Sequence, residues 1–423
     1  MKNIVICCDA TGNEISENIS NVLKLYRCVR KTHRAQPVQA VYYHPGVGTL
    51  VRPDPWRKLT QEFVSLLGLV TGYGLDDNVL SAYEFIVRNY EDGDRIYLFG
   101  FSRGAYTVRA VAGLIHKVGL IWPQQINLAG AGLTAYRQFG GNGQQATPNP
   151  LAPNGLSDEE GPLPDSRYDQ ATQFARILSA RWPTIHFVGV WDTVASVIVP
   201  RPDRLYWPSQ EELAFTVANP SVKIFRQAIS IDEQRRMFRL KEWNEPQTFA
   251  PDRDNGADVE PQDIKQVWFA GGHQDIGADG EIPEKDSALS KYPLLWMIDE
   301  ATRCGLSVNQ QMVKELAWGV QRKGSPFSYV APSFRGELHN HNPMTLGWGL
   351  LEYIPKPDRY KEWPKRRSRF GFYIPAAEPR LIPEGAFIHE SVLKRMDAVA
   401  NYRPVNLPRT FETVPMPVGP EPS

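Results

Sequence analysis

Gly100-Phe101-Ser102-Arg103-Gly104 is the stretch that decides the fold. Before it runs Arg95-Ile96-Tyr97-Leu98-Phe99, a short apolar segment of strand-forming residues. After it, from Ala105 to Ile115, small and apolar residues recur at helical spacing. Strand, sharp turn, Ser and helix together make the context of a nucleophile elbow. The turn is too tight for side chains on either side of the nucleophile, and glycine bends there without a Cβ clash. The competing reading is an ordinary strand-to-helix turn whose Ser caps the helix.

Working outward, apolar runs alternate with helix-like segments, the signature of a parallel sheet built from βαβ units. Ile4–Cys8, Val38–Tyr43, Ile96–Phe99, Ile185–Val190 and Ile264–Phe269 read as strands. Val22–Val29 reads as a helix, with Asn21 a candidate cap. Asp76–Tyr90 reads as another, with apolar residues at Val79, Leu80, Tyr83, Ile86 and Val87. Each strand runs into a glycine-containing or polar turn. In an open parallel sheet, functional groups collect at the carboxyl ends of the strands. A Gly/Pro-rich insertion, residues 122–180, is expected to act as a lid or an irregular loop. Past Leu306 the βα rhythm fades and aromatics and prolines accumulate. This predicts a core over 1–305, a C-terminal aromatic cap or appendage packed on the core over 306–410 and an unstructured tail over 411–423.

Composition narrows the classes. The 47 Lys plus Arg balance 47 Asp plus Glu, which gives no reason to expect a nucleic-acid partner. Lys365-Arg366-Arg367 with Arg369 is a local basic cluster whose simplest reading is a solvated turn. Cys7, Cys8, Cys28 and Cys304 show neither metal-ligand spacing nor a disulfide framework, so no metal and no cofactor is expected. No signal-peptide pattern follows Met1, and no apolar run is long enough to span a membrane; Phe63–Val70 is too short. The expectation is a cytoplasmic chain, or one exported by a signal-independent secretion system.

A serine hydroxyl needs a base within hydrogen-bond reach and a third group to orient that base. Ser102, Asp192 and His273 fall at three strand ends in the order Ser, acid, His of the α/β-hydrolases. Asp192 is also a candidate cap of its own turn through Thr193. Asp275 is the rival acid. His389 is the rival base, although no long apolar strand precedes it. His44 and Asp9 are candidate pocket or supporting residues. The backbone N–H of Arg103 is the first candidate oxyanion donor, and the Asp9-Ala10-Thr11-Gly12-Asn13 turn offers Ala10 and Thr11 for the second. That turn also reads as plain turn chemistry, or as the aspartate loop of phosphotransferases, for which no matching downstream acids and Lys are found.

Seven segments, in order, resemble one family. They are Cys8–Asn13, Tyr43–Thr49, Gly100–Ala105, Val190–Val194, Ala228–Glu233, Gly271–Gly277 and His389–Val392, spanning about residues 4 to 395. The set is similar to the uncharacterised α/β-hydrolase domain family that includes the catalytic domains of type VI secretion phospholipase effectors. The resemblance implies an α/β-hydrolase-like fold, a mainly parallel sheet with helices on both faces. It implies a serine hydrolase of carboxylic esters, phospholipid acyl esters in the secreted members. It carries over Ser102 as nucleophile, Asp192 as acid and His273 as base. A phospholipid or other ester is then the expected substrate, and a cognate inhibitor or a secretion partner is implied. Two departures stand out. Ala10 replaces the usual Gly of the first turn, and Gly277 is followed by Ala278-Asp279-Gly280 where the family has more glycines. The alternative is a catalytically inactive hydrolase-like binding protein with the aromatic C-terminal half as its surface.

Overall fold

A computed structural model describes residues 1–10, 18–32, 36–46, 74–141, 169–194, 198–200, 208–210, 213–251, 259–278, 280, 282–339, 352–358 and 361–419. Thr11, Gly12, Asn13, the Phe63–Val70 run, His341 and the 142–168 part of the insertion lie outside the described residues.

Eight strands form the main sheet: β1 (Asn3–Cys8), β2 (Gln39–His44), β3 (Arg95–Phe101), β4 (Ile185–Trp191), β5 (Val222–Ser230), β6 (Asp263–Phe269), β7 (Ala386–His389) and β8 (Phe411–Val414). Their spatial order is β8-β7-β6-β5-β4-β3-β1-β2, and every pairing is parallel. Side chains of a strand alternate between faces. Ile4 and Ile6 therefore join one core, with Leu98, Val188 and the helices α2 (Leu75–Asn89) and α3 (Arg103–Val118). Val5 and Cys7 join the other, with Tyr97, Phe99 and the helices α1 (Asn21–Cys28) and α7 (Lys291–Arg303). Burial on both faces explains why β1 is apolar from Ile4 to Cys8 rather than alternating.

Two boundaries expected from sequence are corrected. The region after 305 is not an appendage, because β7 and β8 extend the sheet beyond β6. Residues 411–414 are a strand rather than the start of a loose tail. The flanks of the insertion are helical: α4 (Ala129–Gly141) and α5 (Gln170–Ile177) cover α3, with Tyr136 fully buried. Among the described residues, no helix is long and apolar enough to cross a membrane.

Register aligns the chemistry. Cys8 pairs with Gly100, Phe101 with Trp191, and Ser230 with Phe269, so the strands end on one edge. There the elbow packs tightly. A Cβ on Gly104 would lie 2.1 Å from the Cys8 carbonyl oxygen, and one on Gly100 would lie 2.4 Å from that of Gly104. Both glycines are dictated by backbone meeting backbone.

Candidate active site

Ser102 sits between β3 and α3 at φ 55°, ψ −118°, a conformation that L-residues rarely hold. Its N–H donates to the Trp191 carbonyl at 3.1 Å, which ties the elbow to the end of β4. It does not cap α3 with its side chain, which answers the competing reading of the turn. The hydroxyl lies 2.9 Å from His273 Nε2, and His273 Nδ1 lies 2.5 Å from Asp192 Oδ2. A carboxylate only accepts, so Nδ1 carries the proton and Nε2 turns its lone pair toward the Ser102 hydroxyl.

His273 opens a five-residue helix, α6 (His273–Gly277), at the end of β6. Its ring lies between Phe101, at 4.8 Å between ring centres, and Phe238, at 4.9 Å. Its backbone N–H donates to Glu233 Oε2 at 3.2 Å. Glu233 is gripped by Arg235, with contacts of 2.9 and 2.8 Å. Burial pushes the Glu233 carboxyl up, but the Arg235 charge and hydrogen bonds outweigh it and bring it down to about 2. Burial lowers the basicity of His273, and the Asp192 carboxylate offsets this only in part. The imidazole is thus held neutral around pH 7, the form that can take a proton.

Asp192 follows β4 at φ 38° and is fully buried. A lone carboxylate there would be costly. Four donors surround it: Ser230 N–H at 2.9 Å, His273 Nδ1, and Arg380 through Nη1 at 2.6 Å and Nη2 at 3.0 Å. Burial alone would raise this carboxyl. The Arg380 guanidinium, then His273, reverse that and hold it far below the usual carboxylate range. Arg380 also donates to the Ser230 and Phe238 carbonyls at 3.1 and 2.6 Å.

The remaining candidates take other places. Asp275 accepts from Gly272 N–H at 2.9 Å and from His339 N–H at 3.0 Å, and pairs with His339 Nδ1 at 2.8 Å. It braces the turn that carries His273. His389 is the N-cap of α8 (Glu390–Ala398), its Nδ1 accepting from Ser391 N–H, and it stacks on Phe269 at 4.5 Å. Burial drives its imidazole down to about 3. His44 accepts from Gly46 N–H at 3.1 Å through Nδ1. Asp9 accepts from the Tyr43 hydroxyl at 2.9 Å and from Ser20 Oγ, tying β1 to β2 and α1. The Ala10 N–H, expected as the second oxyanion donor, is directed to Asp9 Oδ1 at 2.8 Å instead. Arg103 opens α3, at the end where backbone N–H groups point out of a helix.

Sequence reasoning did not find Arg380, Glu233 with Arg235, or Phe238. Glu233 belongs to a segment of the resemblance but had no role assigned. Arg380 lies in Pro379-Arg380-Leu381-Ile382-Pro383, where no periodicity or motif points to a buried charge.

The chain is similar to several known proteins. An uncharacterized protein of Saccharomyces cerevisiae is 32% identical over 244 residues, 56% of this chain and 32% of its own length. Among solved structures, an uncharacterized protein from Pseudomonas aeruginosa aligns with TM-score 0.34 and 17% identity over 73% of this chain and 46% of its own. The Tle1 effector bound to the VgrG spike of the Type 6 secretion system aligns with TM-score 0.33 and 16% identity over 65% and 50%. The chain thus spans about a third of that curated relative and about half of each solved chain. The family model for the catalytic domain of Tle1-like phospholipase effectors of the T6SS matches residues 2–300, and the chain belongs to that family.

Proposed function

We propose that the chain is a serine hydrolase of carboxylic esters, with phospholipid acyl esters as its substrate class. The observation that carries this is the hydrogen-bonded run from Ser102 through His273 to Asp192, at 2.9 and 2.5 Å. Membership of the Tle1-like family supports the phospholipid part and brings a secretion partner within the same reading.

The chemistry follows from the groups present. His273 Nε2 takes the Ser102 proton as Oγ attacks the ester carbonyl. The negative charge that develops on oxygen is met by the Arg103 N–H. As the tetrahedral species collapses, the C–O bond to the alcohol breaks, and the alcohol leaves with the proton from His273. Water, deprotonated by the same nitrogen, then releases the acid and restores Ser102. Asp192 holds the ring and stabilises its charged form.

A fluorophosphonate probe, read by intact mass, should add one label to wild type and none to Ser102→Ala. Fatty-acid release from defined phospholipids then checks the substrate class against short soluble esters. Failure to label wild type would remove the serine mechanism; labelling without lipid turnover would restrict the substrate to soluble esters.

The pH profile carries its own expectation. Only neutral His273 accepts the serine proton, and burial lowers its pKa. Activity is therefore complete at neutral pH and falls as pH drops through the His273 value. The acid limb of kcat/KM for a soluble ester should have its midpoint below the ordinary histidine value of about 6.5. A midpoint at or above that value would contradict the burial argument.

A further inference from the structure

Beyond residue 352 lies a small antiparallel sheet of Lys356–Pro357, Phe372–Tyr373 and Ser368–Arg369. Its inner face is built. Tyr373 is 2% exposed, and its hydroxyl donates to Glu378 Oε1 at 2.7 Å. Residues two apart share a face, so Phe372 and Ile374 should be polar if this were an ordinary solvated surface. They are apolar, and 51% and 46% exposed. Arg369 pairs directly opposite Phe372 and therefore lies on the same side. Arg367, two residues earlier, is exposed as well.

The turn is stranger still. Phe370 and Gly371 both have positive φ, 54° and 78°. Consecutive positive φ values at a hairpin tip call for Asn, Asp or Gly. A phenylalanine there is strained, and this one is 86% exposed, so no burial offsets the strain. Of the fifteen large apolar side chains exposed among the described residues, six fall between 353 and 381. Three acids of this module are held by neighbours: Glu352 accepts from Arg236 N–H, Glu362 from Arg239 at 2.9 Å and Glu378 from the Tyr373 hydroxyl. What stands out on the exposed side is apolar, partly aromatic, and cationic.

We propose that this face docks on the headgroup layer of an anionic phospholipid bilayer. Exposed aromatic rings suit the boundary between headgroups and acyl chains, and arginines are drawn to anionic lipid. Charge complementarity selects this occupant over a neutral surface. The module is clamped to the 235–239 loop through Arg236 and Arg239, and Phe238 of that loop packs against His273. The proposal deepens the ester-hydrolase reading and rests on it for the lipid's being substrate, but docking itself is measured separately.

The full chain is sedimented with phosphatidylcholine vesicles, with and without about a third of phosphatidylglycerol. Wild type should bind the mixed vesicles and leave the neutral ones largely alone. Arg367→Glu with Arg369→Glu should weaken binding by at least about 20-fold at low salt. Phe370→Gly should weaken it by about tenfold. Glycine suits φ 54°, so this variant keeps or gains thermal stability and cannot be dismissed as misfolded. Soluble-ester turnover should be unchanged in both. Wild type that ignores mixed vesicles, or variants that bind like wild type, would overturn the proposal; in the first case the face fits an acidic protein surface instead. Absence of ester turnover in wild type strikes the hydrolase reading and leaves the vesicle result to stand.

Discussion

Replacing Ser102 by glycine should abolish ester turnover and raise the melting temperature. The loss follows from removing the proposed nucleophile: kcat falls on the order of 10⁴-fold or more, because a serine and its base act as a unit. The gain follows from the backbone. Ser102 is held at φ 55°, ψ −118°. A non-glycine residue in such a region costs about 1–3 kcal/mol. Glycine removes that cost and gives back about 0.5–1 kcal/mol through the greater freedom of the unfolded chain. A net stabilisation of about 1 kcal/mol is expected, readable by thermal or denaturant melts. Ser102→Ala keeps the Cβ and should lose activity without gaining stability. Equal melting points for the glycine and alanine variants would show that the elbow stores no strain.

Arg380→Met should be the most damaging change outside the three strand-end residues. It leaves the fully buried Asp192 with Ser230 and His273 but without a counter-charge, a type of loss that costs about 3–5 kcal/mol. In wild type the depressed Asp192 carboxyl contributes stability that is complete above its unfolded value of about 3.9 and is lost as pH falls through the folded value. The variant should also change the chemistry. Without the guanidinium, the imidazole no longer shares Asp192 with a cation, so its protonated form is favoured. The acid limb of kcat/KM moves to higher pH, and Arg380→Lys moves it part of the way back. A drop in kcat with an unmoved limb would mark Arg380 as a packing residue alone rather than a positioning residue.

Much of the sheet edge was legible because strands buried on both faces write long apolar runs. Ile96–Phe99 and most of Ile185–Val190 announce themselves this way; Ile264–Phe269, with Lys265 and Gln266, is apolar and buried only from Val267, and each of the three hands a polar residue to the same edge. The C-terminal strands did not. β7 and β8 are four residues each, and β8 includes a glutamate, too little for any period to register. With them went Arg380, whose partner is 188 residues away in the chain. A buried ion pair across that separation leaves no local pattern. The Ala10 departure also reads differently in three dimensions. Ala10 keeps a negative φ, so the missing glycine introduces no backbone strain. Its N–H is engaged by the neighbouring Asp9, a side-chain choice that spacing does not reveal.

The late position of Arg380 has a temporal consequence. A ribosome delivers Ser102, Asp192 and His273 in that order, and the guanidinium that neutralises Asp192 comes after all three. The matched segment, residues 2–300, is made before it as well. Until Arg380 is made, Asp192 lacks the counter-ion it has in the folded chain. The strands that follow Arg380 in the chain, β7 and β8, must also dock before the sheet is complete. On the proposed function, hydrolytic competence waits on Arg380, which is made after Ser102, Asp192 and His273.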